Sequence, residues 1–458
     1  MPDLTPVLAA LDAERDTALR RLFDLVGIPS ISTDPAYKAD CRRAAEWLAA
    51  DLKTIGFDAS VRDTAGHPVV VGHHDGDGPH VLFYGHYDVQ PVDPLSEWTS
   101  PPFEPRIEER DGRMVIAARG TADDKGQLMT FVEACRAYKT AHGRLPCRVS
   151  VIFEGEEESG SPSIVPFLKA HAGELKADHA LVCDTNMWDA ATPSISVGLR
   201  GLMEEEIIVT AADRDLHSGY FGGAAANPIH IVAKIVADLR DADGRILIPG
   251  FYDGVDETPA DILSMWNGLG RTPENFLGTV GLRHPVGEKG RSILELTWAR
   301  PTAEVNGITG GYTGEGFKTV IPSRASAKIS CRLVHRQDPE TIRAAFRAFV
   351  RERVPADCSV EFINHGGAPA TQLPYDSPVL SRTRAALTAE WGRDAIMACM
   401  GGSIPIVGLF QSMLGMNSVM VGFGLGDDRI HSPNEKYDLN SFHKGARSWA
   451  RILAALAA

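Results

Sequence analysis

The sequence predicts an α/β chain with a mostly parallel central sheet, interrupted by an inserted α+β domain of ferredoxin-like arrangement. Three observations lead there. Short apolar runs alternate with helix-period segments from about residue 15 to 197, and the alternation returns after about residue 400. Between these stretches the order becomes strand, helix, strand, strand, helix, strand. Several apolar runs also stop on a side chain able to bind a metal. Residues 81–84 run into Gly85-His86-Tyr87-Asp88, 149–153 into Glu154-Gly155-Glu156-Glu157-Glu158, and 180–183 into Asp184; 419–423 lead through a glycine-rich loop to His431. In open α/β sheets, ligands gather beyond the carboxyl ends of the strands.

The elements follow in order. Residues 1–21 carry Asp3, Asp12, Glu14 and Asp16 and no apolar segment, which predicts an amphipathic helix and not a leader peptide. Residues 41–55 have helical period, and Gly56 suits a C-cap. Strands are predicted at 69–71, 81–84 and 148–153, with a helix at 126–138. In the insert, 203–210, 293–298, 325–334 and 358–363 read as strands. Asn227-Pro228 opens a helix to about 239, and Asp338-Pro339-Glu340 opens another to about 354. Residues 241–290 take no assignment. Helix at 403–414, strand at 418–423 and a helix from Asn440 complete the chain. The predicted boundaries are 1–197 and 401–458 for the two parts of the α/β domain, and 198–400 for the insert.

Composition excludes some classes. The net charge of −14 argues against a broad nucleic-acid or anionic-membrane surface, which needs a basic patch. No apolar stretch approaches the roughly 20 residues of a membrane span. Seven scattered cysteines without a CxxC pair suit free thiols in a reducing compartment, so a cytoplasmic protein is expected.

Taken singly, the acidic and histidine motifs read as caps and turns. His86 and Asp88, two apart in extended chain, face one side and could act together. Asp123-Asp124-Lys125 at a helix start suits a solvated cap. Four carboxylates in 154–158 repel unless solvent or a cation intervenes. Together, two histidines and three acids on separate strand ends make a nitrogen–oxygen site of the kind Zn²⁺ uses. Two divalent cations, three carboxylates and one hydroxide would balance in charge, which suits burial.

GHYDVQP, RGTADDKG, EGEEESGS, DLHSGYFGG and IHSPNE, in that order along nearly the whole chain, closely resemble motifs of a co-catalytic zinc hydrolase family. That family includes carnosinase-type dipeptidases, aminoacylases and glutamate carboxypeptidase, and the nearest branch is the cytosolic dipeptidases. The resemblance implies a zinc-peptidase-type catalytic domain with an inserted lid and dimerisation domain, and two Zn²⁺ per subunit, replaceable by Mn²⁺ or Co²⁺. It implies His86 and Asp184 on one ion, Glu158 and His431 on the other, and Asp123 bridging them, with a cis bond to Asp124. Asp88 would orient His86, and Glu157 would be the general base. His217 would stabilise the oxyanion in the other subunit of a homodimer. Arg332 would hold the substrate's free carboxylate; the Gly402-Ser403 segment could receive the same anion, and Asn306 and Thr319 would line the pocket. The implied activity is amide hydrolysis of dipeptides or short peptides bearing a free C-terminal carboxylate, the alternative being an N-acyl-amino-acid amidohydrolase. Three positions depart from the family pattern: Asp124 where Asn is frequent, Glu156 where an apolar residue is common, and His335 where Pro is usual.

Overall fold

The computed structural model of the chain describes residues 3–402 and 404–458. They form two compact units. The first comprises the chain up to Val197, Leu373–Ala398 and Leu409–Ala458; the second comprises Gly198–Gln372 and Cys399–Gly408.

The first unit is built on a twisted sheet in the order Asp58–Arg62, Val69–His74, Leu145–Glu154, Gly76–His86, His179–Val182, Ser418–Met420, Ser194–Leu199. Its centre is parallel and its flanks antiparallel. Val81, Leu82, Phe83 and Tyr84 are all fully buried, as expected of a central strand covered on both faces. Helices Lys125–His142 and Leu439–Leu456 pack together over one face. There Phe83 stacks on Phe131 at 3.8 Å, and both meet Trp449 edge-on at 5.5 Å. Each buried ring adds roughly 1.5–3 kcal/mol from apolar burial, which makes this triad a principal anchor of the helix pair. Gly56 ends the helix Lys38–Ile55 at φ 103°, a left-handed turn that a Cβ would strain.

The second unit holds an antiparallel sheet in the order Thr302–Gly310, Arg324–Leu333, Gly201–Thr210, Ser359–Ala368. Helices Pro228–Ala237 and Pro339–Arg351 cover it, Asn227 and Asp338 capping them by accepting the N–H of Ile229 and Thr341. The ferredoxin-like order is present. Strand Gly201–Thr210 alternates strictly, so Met203, Ile207 and Val209 face the core, and Glu205 does too. That buried carboxylate is held by Arg343, and its other oxygen accepts Arg347 Nε at 2.7 Å. Arg343 also donates to Glu204 O and Gly366 O, both at 2.7 Å.

Several sequence expectations change. The N-terminal helix is two, Thr5–Ala13 and Arg15–Val26, with the break at Glu14. Residues 293–298 are not a strand: Glu295–Ala299 is a π-helical turn, and the strand begins at Thr302. Their β-forming composition is overridden by packing, with Trp298 edge-on to Trp266 at 5.2 Å. The unassigned segment supplies Ile246, Ile248 and Phe251 to the second unit's core and a helix, Ala260–Gly268. The chain re-enters the first unit at Leu373, well before residue 401, because helix Pro378–Trp391 packs on Leu439–Leu456. The helix expected from residue 403 starts at Pro405 and becomes a π turn at Phe410–Leu414.

Arg343→Met leaves Glu205 charged and buried with only Arg347. We expect it to lower stability by about 3 kcal/mol, read as a shift of the urea midpoint at constant slope. An unshifted midpoint would show that Arg347 alone satisfies the carboxylate.

Candidate active site

The carboxyl ends of the first unit's parallel strands bring the sequence-predicted ligands together. His86 ends its strand fully buried, its Nε2 3.0 Å from Asp123 Oδ1. His431 Nε2 lies 3.0 Å from Asp123 Oδ2 and 3.3 Å from Glu158 Oε2. One carboxylate therefore offers an oxygen to each imidazole. Two donor groups result: His86, Asp123 and Asp184, and Asp123, Glu158 and His431, each with its ligand atoms within 4.8 Å of one another. Imidazole nitrogens and carboxylate oxygens in two groups sharing one residue are a donor set suited to two divalent cations.

The electrostatics agree. Burial and the neighbouring Asp123 push Asp184 up to about 7. Hydrogen bonds to Asp123 and Glu158 raise His431 to about 10. His86 is raised well above its ordinary value, the burial that opposes this being outweighed by Asp123 and Asp88. Burial raises Glu157, with His86 opposing and Glu158 adding to the shift. Asp123 moves the other way: against its burial, His431 and His86 hold it well below the usual carboxylate range, so the imidazoles answer this acid and leave the others short of positive charge.

Asp88 links the ligands to Glu157. Its Oδ1 lies 3.4 Å from His86 Nδ1, and its carbonyl lies 3.1 Å from the same atom. Its carboxylate accepts the backbone N–H of Glu157 at 3.3 Å and of Glu158 at 3.0 Å. One buried acid therefore faces a ring nitrogen of a candidate ligand and holds the position of the Glu157–Ser159 turn.

Asp123 and Asp124 are joined by a cis peptide bond. Asp124 accepts the His86 N–H at 3.1 Å on Oδ2, and burial raises its pKa well above the carboxylate range. Lys125 is not the solvated cap that its position suggested. It is fully buried, donates to Leu25 O and Ile28 O at 3.1 and 2.6 Å, and burial takes it down to about 7. Glu156 turns away from the cluster and receives the N–H of His67 at 2.8 Å and of Ser163 at 3.0 Å. A Cβ on Gly66 would lie 1.5 Å from its Oε1, so a larger residue there would push the Glu156 carboxylate aside. His335, at φ 52°, accepts the Asp256 N–H at 3.2 Å on Nδ1.

Two contributors escaped the sequence reading although both sit in its motifs. Glu435 Oε1 receives the N–H of Ala122 and Asp123 at 2.9 and 3.2 Å, and Oε2 receives Gly120 N–H at 3.0 Å and Arg119 Nη1 at 2.8 Å. A glutamate in a polar loop reads as solvated, and only the fold shows it buried. Gln90 Nε2 donates to Glu158 Oε2 at 2.6 Å. Its spacing from Asp88, two residues along extended chain, was the available signal.

The other predicted residues belong to the second unit. His217 is exposed, and its Nδ1 accepts the Gly219 N–H at 3.0 Å. Thr319 is exposed, and its carbonyl accepts the Ser218 N–H at 3.1 Å. Asn306 is the exposed extra residue of a bulge between Val305 and Gly307. Arg332 is half-buried on the polar face of Arg324–Leu333, and its guanidinium has no hydrogen-bond partner among the described residues. Gly402 is exposed, and Ser403 lies outside the described residues.

Residues 82–455 match the model of Peptidase family M20/M25/M40. The chain belongs to this family. It is a hydrolase of the metallopeptidase type, as its motifs implied. The Cys-Gly metallodipeptidase of Schizosaccharomyces pombe is 31% identical over 99% of this chain and 98% of its own length. The Beta-Ala-His dipeptidase of Homo sapiens is 27% identical over 99% and 93%. A solved M20 family metallo-carboxypeptidase, Sso-CP2 from Sulfolobus solfataricus, superposes with a TM-score of 0.77 at 30% identity, covering 96% of this chain and 99% of that one.

Glu435→Gln replaces one acceptor oxygen with a donor facing backbone N–H groups. The metallopeptidase should then bind its metal roughly 10–100-fold more weakly, measured by competition with a chromophoric chelator. Wild-type affinity would show that the loop holds Asp123 without Glu435.

Proposed function

We propose that this metallopeptidase hydrolyses the amide bond of dipeptides and short peptides bearing a free C-terminal carboxylate. The observation that carries the reading is Asp123, whose two oxygens face His86 and His431, with Glu157 on the adjoining turn. The metallodipeptidase names of the aligned relatives support the substrate class and do not favour the N-acyl-amino-acid alternative.

His86 and Asp184 would hold one ion, Glu158 and His431 the other, and Asp123 both. Two Zn²⁺ per subunit fit these nitrogen and oxygen donors, with Mn²⁺ or Co²⁺ as substitutes. When bound, such ions polarise the scissile carbonyl and acidify the attacking water. Glu157 takes the proton from that water and returns it to the leaving nitrogen, and its raised pKa suits a group that both accepts and donates. Asp88 keeps the Glu157 backbone in place. A neutral His217 that accepts at Nδ1 carries its proton on Nε2, which is what an oxyanion donor needs. We assign it to the other subunit of a homodimer. Arg332, without a partner in its own sheet, is assigned to the substrate carboxylate, with Asn306, Thr319, Gly402 and Ser403 lining the pocket. Free, mostly buried cysteines support a cytoplasmic setting. Among the described residues no helix is long and apolar enough to cross a membrane.

Glu157→Gln should retain metal and lower kcat by about 10²–10⁴ on a dipeptide panel. Near-normal turnover would remove its role as base. Mixing Glu157→Gln and His217→Ala subunits should restore about a quarter of wild-type activity, since in a mixed dimer one site has both groups. No recovery after subunit exchange would sink the composite site. Cleavage confined to N-acyl amino acids would sink the peptide substrate.

A further inference from the structure

Arg200 is a second guanidinium beside Arg332, and the activity as proposed does not use it. It is 8% exposed, and its Nη1 donates to Thr297 O at 3.0 Å. Its Nη2 donates to Arg300 O at 3.2 Å and to Thr302 Oγ1 at 3.4 Å, while its buried Nε has no partner among the described residues. Thr302 is the cross-strand partner of Arg332 in the antiparallel sheet, and Leu202, two residues beyond Arg200, is the partner on the other side. Arg332 is therefore the central member of one cross-strand row, and Arg200, just before the strand that holds Leu202, reaches the far member of that row at Thr302 Oγ1. The carboxylate acting on Arg200 is Glu304, which is exposed and bonded to Arg240 at 2.5 Å. No ion pair joins either arginine to an acid among the described residues. Burial, with Arg332 adding, takes Arg200 down to about 10, so its charge is held against a cost that a bound anion would offset.

We propose that Arg200 is a specificity residue that, with Arg332, makes a two-guanidinium site for the substrate's C-terminal carboxylate, acting through its buried charge and its hold on Thr302. Unlike Arg332, it does not need to touch the substrate. A planar fork donating to two backbone carbonyls and a hydroxyl stays in place and contributes a fixed field in a low-dielectric setting. This inference rests on the carboxylate recognition proposed above.

The test compares a dipeptide with the same dipeptide carrying a C-terminal amide. Arg200→Met should raise KM for the free acid on the order of tenfold, leave kcat nearly unchanged, and leave the amide's KM as in wild type. Arg200→Lys, which keeps the charge, should recover most of the preference. If Arg200→Met does not accumulate as folded protein, Thr302→Val, which removes the side-chain acceptor next to Arg332, should shift the acid-to-amide ratio in the same direction. Equal effects on acid and amide, or an unchanged ratio in the folded variants, would overturn the role of Arg200. A wild-type enzyme with no preference for the acid would instead overturn the carboxylate reading itself.

Discussion

Acidic side chains crowd the carboxyl ends of the first unit's strands, and like-charge repulsion there must be met by something. Part of the answer lies in the chain. Glu435 takes three backbone N–H groups and Arg119, Glu156 takes two N–H groups, Asp88 takes two more, and Asp124 takes one. Asp123, Asp184, Glu157 and Glu158 are not answered in this way. They face the imidazoles, Gln90 and one another. The acids thus divide by physics into those satisfied by the scaffold and those that are not, which the proposed reading gives to cations and substrate protons. The division does not follow position in the acidic run, where Glu156 belongs to the scaffold and its neighbours Glu157 and Glu158 do not.

How far this was legible in the sequence depends on the kind of signal. The end of an apolar run marks a candidate ligand, as at His86 and Asp184, and the motif order added Asp123, Glu158 and His431; the structure brings these side chains together. The ferredoxin-like order was legible because capping residues such as Asn227 and Asp338 mark helix starts by local chemistry. What failed depended on distant packing. Residues 293–298 have strand composition but coil into a π turn, and no local rule shows that Trp266 will meet Trp298. Lys125 looked solvated, and Glu435 passed unread within its motif, because burial is a property of the whole fold. Glu156 stood out only as a departure from the family pattern, and where its carboxylate turns was not legible because side-chain direction within a tight turn is invisible in composition.

The second unit treats charge differently. Glu205 sits on the apolar face of its strand and is neutralised by two arginines from one helix, which fixes the register of helix against sheet. Arg332 on the same sheet and Arg200 just before its strand Gly201–Thr210 have no such acid among the described residues. One unit therefore contains an ion cluster closed on itself and two cations without a paired acid, one of them tied to backbone carbonyls and Thr302; an anion would be recognised at the other.

The order of the ligands along the chain has a consequence for synthesis. His431 and Glu435 come after the whole second unit, whereas His86, Asp123, Glu158 and Asp184 all precede it. Domains fold as they leave the ribosome, at roughly 5–20 residues per second. The first 197 residues therefore emerge with the bridging carboxylate and its loop lacking both the second imidazole and the acid that holds the loop. The candidate ligand set would be complete only once the C-terminal segment carrying His431 and Glu435 has emerged and its strand Lys436–Asp438 has paired with Arg113–Ala117.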